Sequence, residues 1–463
     1  MSIFDQFIGL NIAYPLANGE LKRRLHLDGA ASPLVMQDAR DAVNALLPHY
    51  SNSHSNAHAS AHISAQAMAW SQQQILRISG ANTDYSFVMQ GSGSTAVINN
   101  LARRLRPKRQ QRSVVFVSAM EHHANDLPHR QQGYDIVHMP LEGDSRRMGA
   151  IDLKALRDLF EHYKDQVNYV AFSAVSNVTG IINPVAEITA MAHEHGAYSL
   201  VDAAQMAAHC PLNTAESDID FLVFSGHKVY CAGSPGILIA KRALLQEHPS
   251  DEVGGGIVSH VGYQDYDLLT EYPAREHAGT KNILGIYALA KVMCKLEKHG
   301  IQKIQQHGEK VWQYAFDQLS KIEGIVIYGS TEQARIGALS FNINGIDHGL
   351  AASILSDYYS IAIRNECFCA HPYVSAMLKE ELWELDLSSI PDEQHEAYIN
   401  RKRGMLRASF SLYNNCSDVD TLCAAIKAMQ HNIDTYRREY EPQTDGSYSH
   451  KHFSLDWQDF VGE

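Results

Sequence analysis

Six short apolar runs recur through the middle of the chain with helix-length segments between them, and this alternation restricts the fold most. SVVFVS (113–118), YDIVHMP (134–140), NYVAFSAVS (168–176), AYSLVDAA (197–204), DFLVFSG (220–226) and GILIAK (236–241) read as buried strands. Segments 152–164 and 185–195 read as amphipathic helices between them. Parallel strands need crossovers of a dozen or more residues, so this pattern forms βαβ units and a mostly parallel sheet. A helical run (281–321), a strand (337–343), a helix (348–358), a Cys-containing loop, a strand (405–413) and a terminal helix to about 438 follow. The expected architecture is α/β. It has an N-terminal segment (1–25), a large domain (26–290), a smaller α+β domain (291–438) and an extended polar tail (439–463).

The composition suits that plan. With 463 residues and 45% apolar content the chain buries a large core, which excludes global disorder. Lys plus Arg number 39 against 52 Asp plus Glu, giving a formal charge of −13 that repels nucleic-acid backbones. No run approaches the roughly 18 consecutive apolar residues of a membrane span. The N-terminus lacks the basic start and apolar run of a signal peptide. Seven Cys make no disulfide framework, and a cytoplasmic protein with reduced thiols is expected.

The chemistry begins at Ser225-Gly226-His227-Lys228, directly after a strand. A Lys there can be a plain surface strand end. However, Asp202 closes the preceding strand, and parallel strands deliver such residues to one carboxyl edge, where α/β enzymes bind ligands. A Lys and an Asp across a cofactor-sized gap suit pyridoxal phosphate (PLP). The Lys attaches the cofactor, and the Asp keeps the ring nitrogen protonated. Gln90-Gly91-Ser92-Gly93-Ser94-Thr95 opens a helix and offers backbone N–H groups and hydroxyls to a phosphate; alone it is also an ordinary cap. His54, His58 and His62 are spaced for a helical metal site, but no carboxylate or Cys accompanies them, and no metal is expected.

Taken together, these segments resemble a fold-type I PLP-dependent transferase of the class V aminotransferase superfamily, nearest to group II cysteine desulfurases and selenocysteine lyases. The likeness spans roughly 25–435. Asp28-Gly29-Ala30-Ala31-Ser32 resembles its opening segment, and Asn52–His58 a segment over the active-site mouth. The resemblance implies that Ser94 and Thr95 hold the phosphate and that Ser225 and His227 belong to the cofactor core. It implies that His123, the second His of Glu121-His122-His123-Ala124-Asn125, stacks on the ring and moves protons. It also places Asn177 at the phenolic oxygen, with Asp202, Gln205 and Lys228 completing the cofactor core. Ala30, Asn177, Arg364 and Arg407 are implied as substrate contacts. Arg407 pairs with the α-carboxylate, unless it forms an internal salt bridge. Thr280 of Ala278-Gly279-Thr280 is implied to serve the phosphate of a partner subunit in a homodimer.

Ile363-Arg364-Asn365-Glu366-Cys367-Phe368-Cys369-Ala370-His371-Pro372 resembles the desulfurase loop, with Cys369 on the nucleophile position and Cys367 displaced by two. A thiolate there takes sulfur from cysteine as a persulfide, with a sulfur-acceptor protein as partner. The loop departs from the family at Asn365-Glu366 and Phe368. His277 replaces a Glu, and 379–404 is an insertion that could cover the site or bind a partner. The expected function is therefore desulfurase-like cleavage on a small amino acid. Alternatives are an aminotransferase, an epimerase or a β-lyase without a Cys nucleophile, or a non-catalytic binding subunit.

Overall fold

The computed structural model describes residues 3–55, 57–91, 93–106, 112–383, 385, 395–443 and 445–462. Ser92, Asn56 and 386–394 of the insertion lie outside the described residues.

Seven strands form the large sheet: β1 (Tyr85–Gln90), β2 (Val114–Ser118), β3 (Asp135–Met139), β4 (Val167–Ser173), β5 (Tyr198–Asp202), β6 (Phe221–Ser225) and β7 (Gly236–Lys241). Their order is β1-β7-β6-β5-β4-β2-β3. β3, β2, β4, β5 and β6 run parallel; β7 is antiparallel to both β6 and β1. Every residue of β2, β4 and β6 is buried, as expected of strands covered on both faces.

The smaller sheet is antiparallel, in the order β8-β9-β11-β10, from β8 (Ile325–Ile327), β9 (Ala338–Ile343), β10 (Arg364–Glu366) and β11 (Met405–Ser409). Its core includes Phe341, Leu406, Trp312 and Ile426.

The structure differs from the expectations at four points. The helical run 281–321 is two helices, Ile283–His299 and Ile301–Leu319, divided at Gly300, whose φ of 104° no side-chain-bearing residue adopts easily. The boundary at 290 falls too early, because Val292, Met293, Leu296 and Ile304 pack into the large-sheet core. Nor is 1–25 a separate segment. Ile3 and Phe7 join that same core, while Leu25–His26 pair with Ile361–Ala362 and Leu27 enters the small core. Finally, the segment expected as an extended tail folds back. Tyr440–Pro442 and Tyr448–His450 pair as a hairpin, Tyr440 is buried, and its hydroxyl donates to Asp357 at 2.8 Å.

Candidate active site

The parallel strands bring their carboxyl ends to one edge, and a cavity of about 240 Å³ opens there. Asp202 ends β5, Ser173 ends β4, and Ser225 ends β6 before the turn carrying His227 and Lys228. β1 leads to helix α1 (Ser94–Leu105), whose first turn points at the same space. From the small domain come Arg364 on β10, Arg407 on β11 and the loop residues Phe368 and Cys369.

The start of α1 is built for close approach. Gly93 has φ 95°, and a Cβ there would sit 2.8 Å from Ser225 Oγ. Ser94 N–H donates to Ser225 Oγ at 2.7 Å, and Ser225 Oγ donates to Ser94 Oγ at 3.1 Å. Ser94, Thr95, Ser225 and His227 thus line one end of the cavity, a donor set suited to a phosphate.

Lys228 is half-buried and hydrogen-bonds to none of the described residues. Burial pushes its pKa down, and Asp202 opposes that shift. Burial pushes Asp202 up; one of its oxygens accepts from Ala204 N–H at 2.9 Å. Gln205 donates to Ala30 O at 2.7 Å, and Ala30 N–H donates to Ser409 Oγ at 3.0 Å, so both are held at the rim. Asn177 Nδ2 donates to Phe368 O at 2.8 Å, while its buried Oδ1 has no partner. An amine without a partner, a carboxylate across from it and a hydroxyl-lined helix start fit PLP by their donor chemistry.

The His assignment is corrected. His122, not His123, lines the cavity. The His123 N–H donates to Cys369 O at 2.6 Å, which fixes the turn and sends the His123 side chain outward. There it stacks on His371, with ring centroids 4.8 Å apart and planes 9° from parallel. His122 Nδ1 accepts from Ala124 N–H at 3.0 Å, leaving the proton on Nε2. Burial lowers the His122 pKa to about 4, so the ring is neutral at pH 7.

Arg407 is 2% exposed. It donates to Asn177 O at 2.9 Å and pairs with Asp28 at 3.2 Å, so the internal salt bridge exists. Its Nε remains unpartnered, and its Cζ lies 4.6 Å from the Phe368 ring centroid. Burial lowers its pKa to about 10, which leaves it charged at neutral pH.

The two cysteines of the loop separate. Cys369 is exposed and lines the cavity. Cys367 is buried, its thiol donates to Arg403 O at 3.4 Å, and burial raises its pKa to about 11. Thr280 is exposed and lines a different pocket, beside Gly91 and Ala96. His54 contacts Gly279 O at 3.0 Å and does not line the cavity. His277 is buried and accepts from Met89 N–H at 3.0 Å.

Of the insertion, none of the described residues lines the cavity. Glu381 instead accepts from Tyr328 at 3.1 Å and pairs with Arg146 at 2.7 Å. Among the described residues no cluster of His, Cys, Asp and Glu gathers as a metal site, and no helix is long and apolar enough to cross a membrane. Glu121 and Ser173 escaped the sequence reading. Only the position of Glu121 beside His122 hinted at either.

Comparison with known proteins places this geometry in a family. The family model described as aminotransferase class-V matches residues 25–422. A cysteine desulfurase of Escherichia coli O157:H7 is 34% identical over 317 residues, covering 68% of this chain and 70% of the relative. One from Salmonella newport is 32% identical over 407 residues, covering 87% and 92%. Among solved structures, an apo cysteine desulfurase from Thermococcus onnurineus NA1 matches with TM-score 0.76 and 26% identity, over 88% of this chain and 94% of that one. The Escherichia coli cysteine desulfurase CsdA, in an S-sulfonic acid form, matches with TM-score 0.73 and 26% identity, over 88% and 95%. The chain belongs to the class V aminotransferase family of PLP-dependent enzymes and resembles its cysteine desulfurases.

Proposed function

We propose that this chain binds PLP and removes sulfur from a small amino acid, cysteine first among them, receiving the sulfur on Cys369. One observation carries the reading: Lys228 and Cys369 line the same cavity, with Arg364 and Arg407 on its wall. Lys228 would hold the cofactor, Asp202 its ring nitrogen, and Ser94, Thr95, Ser225 and His227 its phosphate, with Asn177 and Gln205 beside the ring. Bound PLP supplies an electron sink for bonds at the amino acid's α-carbon.

The chain's own groups do the rest. Arg407 and Arg364 orient the α-carboxylate by charge-assisted hydrogen bonds. Lys228, whose neutral amine form burial favours, is free to take a proton near the α-carbon and, once protonated, gives it back more readily than an exposed lysine. The neutral His122 forms a wall of the site and offers its Nε2–H as a donor. The Cys369 thiolate forms a bond to the substrate sulfur as the carbon–sulfur bond breaks; the electron pair stays on carbon, which takes a proton and leaves as alanine. The sulfur remains on Cys369 as a persulfide.

Cys369 also lines an adjoining open groove with His123, Leu127 and Gln131, which gives a sulfur acceptor a route to the persulfide. Exposed Thr280, outside its own chain's cavity, supports a homodimer in which it serves the neighbouring site.

The test is a panel of small amino acids given to PLP-loaded protein, with alanine, sulfide, pyruvate and keto acids measured. Cysteine should yield alanine and sulfide in the presence of a thiol, and Cys369→Ala should stop it while PLP stays bound. Borohydride should fix the cofactor to Lys228. Full activity in Cys369→Ala would move the β-lyase, transaminase or epimerase readings ahead.

A further inference from the structure

Glu121 lies behind the cavity wall and takes no part in the chemistry above. It is 4% exposed, and both its carboxyl oxygens are occupied. Oε1 accepts from Ser118 Oγ at 2.5 Å and from the Ser173 N–H at 2.7 Å. Oε2 accepts from Asn125 Nδ2 and from Ser173 Oγ, each at 2.7 Å. These partners tie the ends of β2 and β4 to the turn that carries His122. Among the three, only Ser173 lines the cavity, and it sits in register with Asp202.

The four donors are not alike. The Ser173 N–H can only donate and Asn125 presents its Nδ2–H to Glu121, its Oδ1 facing elsewhere, whereas a hydroxyl can turn and accept in place. A proton arriving on Glu121 therefore finds its simplest acceptor in a serine oxygen, which needs only to rotate its own hydrogen away. Ser118 is 1% exposed, and Glu121 is the acceptor of its proton, so turning that hydroxyl would strand a buried donor. Ser173 has the cavity to turn toward.

We infer that Glu121 is a positioning residue that sets the polarity Ser173 presents to the cavity. Ionised, Glu121 holds the Ser173 proton and leaves that oxygen as an acceptor; protonated, it donates to Ser173 and frees the hydroxyl to donate into the cavity. One proton moves from solvent to Oε2, and one hydroxyl rotates. Burial pushes the Glu121 pKa up to about 7, so both forms are populated near neutrality. The titratable groups around it are His122 on its own loop, Asp202 beside Ser173, and Lys228 and Arg407 at the cavity. None of them hydrogen-bonds with Glu121.

The inference rests on the PLP reading only in its second arm. In the first, infrared difference spectra of the cofactor-free full chain, titrated through neutral pH, should show a protonated-carboxyl band that Glu121→Gln lacks. Ser173→Ala should move that band and raise its midpoint, and Ser173→Thr should restore both. No such band, or one that Ser173→Ala leaves in place, overturns the inference whatever the protein binds. In the second arm PLP affinity is followed by absorbance across the same range. It should change at least about tenfold in the wild type, the worth of one hydrogen bond to a charged group. It should be several times smaller in Ser173→Ala and Glu121→Gln, where only the titration of Lys228 and of PLP itself remains, and retained in Ser118→Ala. A change as large as the wild type's in Ser173→Ala overturns the inference. No PLP binding at any pH defeats the cofactor reading instead and leaves the infrared arm to decide.

Discussion

Arg364 and Arg407 stand directly opposite one another on the antiparallel strands β10 and β11, and both reach the cavity. Like charges in register destabilise a strand pair. Asp28 neutralises Arg407 alone, which leaves a surplus positive charge where an amino acid's carboxylate would lie. We predict that Arg364→Ala leaves stability within about 0.5 kcal/mol of wild type or improves it, since it removes the opposed pair. The same change should raise KM about tenfold or more for the best amino acid, through loss of one charge-assisted hydrogen bond. Denaturant unfolding and steady-state kinetics on one sample check both; a large loss of stability with unchanged KM would make Arg364 a structural residue.

His122 and His123 should separate by function. Only His122 lines the cavity, so His122→Ala should lower kcat while His123→Ala leaves most of it. The pH behaviour follows from the lowered pKa, about 4 in the folded protein against 6.5 as the ordinary value. The folded state resists protonating this ring, so His122 costs stability as the pH falls from about 6.5 toward 4 and has no effect above that window. A pH–rate step between 6 and 8 that vanishes specifically in His122→Ala would contradict this assignment.

The parallel strands and much of the cavity lining were legible because they follow from simple rules. Apolar runs between helices become a parallel sheet, and the ends of those strands collect the polar residues that follow them. Lys228, Asp202, Ser225 and Ser94 converge for that reason alone. The His pair was not legible. Two adjacent histidines look alike in a sequence, and which one faces inward depends on a backbone bond from His123 to Cys369, 246 residues away. Glu121 was hidden similarly, since two of its four hydrogen bonds come from Ser173, 52 residues away. The hairpin at 440–450 was masked by its polar composition, because its Tyr residues dock through hydroxyls rather than through an apolar stripe.

Arg104 and Glu276 form a buried pair, with side chains 1% and 0% exposed and two contacts of 2.9 Å. It joins α1, which begins at the cavity, to the segment leading to Thr280. Arg104 also donates to His248 O at 2.5 Å, so its guanidinium is well satisfied. Arg104→Met should cost about 3–5 kcal/mol, because it strands a buried carboxylate. Adding Glu276→Gln to that variant should recover part of the loss. Urea unfolding of the two variants decides it; a single substitution costing under about 1 kcal/mol would show that water or a rearranged neighbour replaces the lost partner.

The last prediction concerns which thiol of the loop reacts. Cys369 is exposed at the cavity, whereas Cys367 is buried, bonded to Arg403 O and raised to about 11 by burial. A thiol reacts through its thiolate, so the access of Cys369 and the raised pKa of Cys367 both point to Cys369. Brief alkylation of the native protein, read by mass spectrometry of peptides, should label Cys369 well before Cys367. Amino-acid substrate should slow that labelling by occupying the cavity. The backbone adds a second consequence. Cys369 has φ 55° and Phe368 has φ 53°, in the left-handed region that disfavours side-chain-bearing residues. Cys369→Gly relieves this strain and Cys369→Ala does not, so the Gly variant should be the more stable of the two by roughly 0.5–1 kcal/mol. Both should lose sulfur release equally, because both lack the thiol. Labelling of Cys367 ahead of Cys369 would mean that the loop opens in solution and exposes what the folded chain buries, and the nucleophile would then have to be assigned afresh.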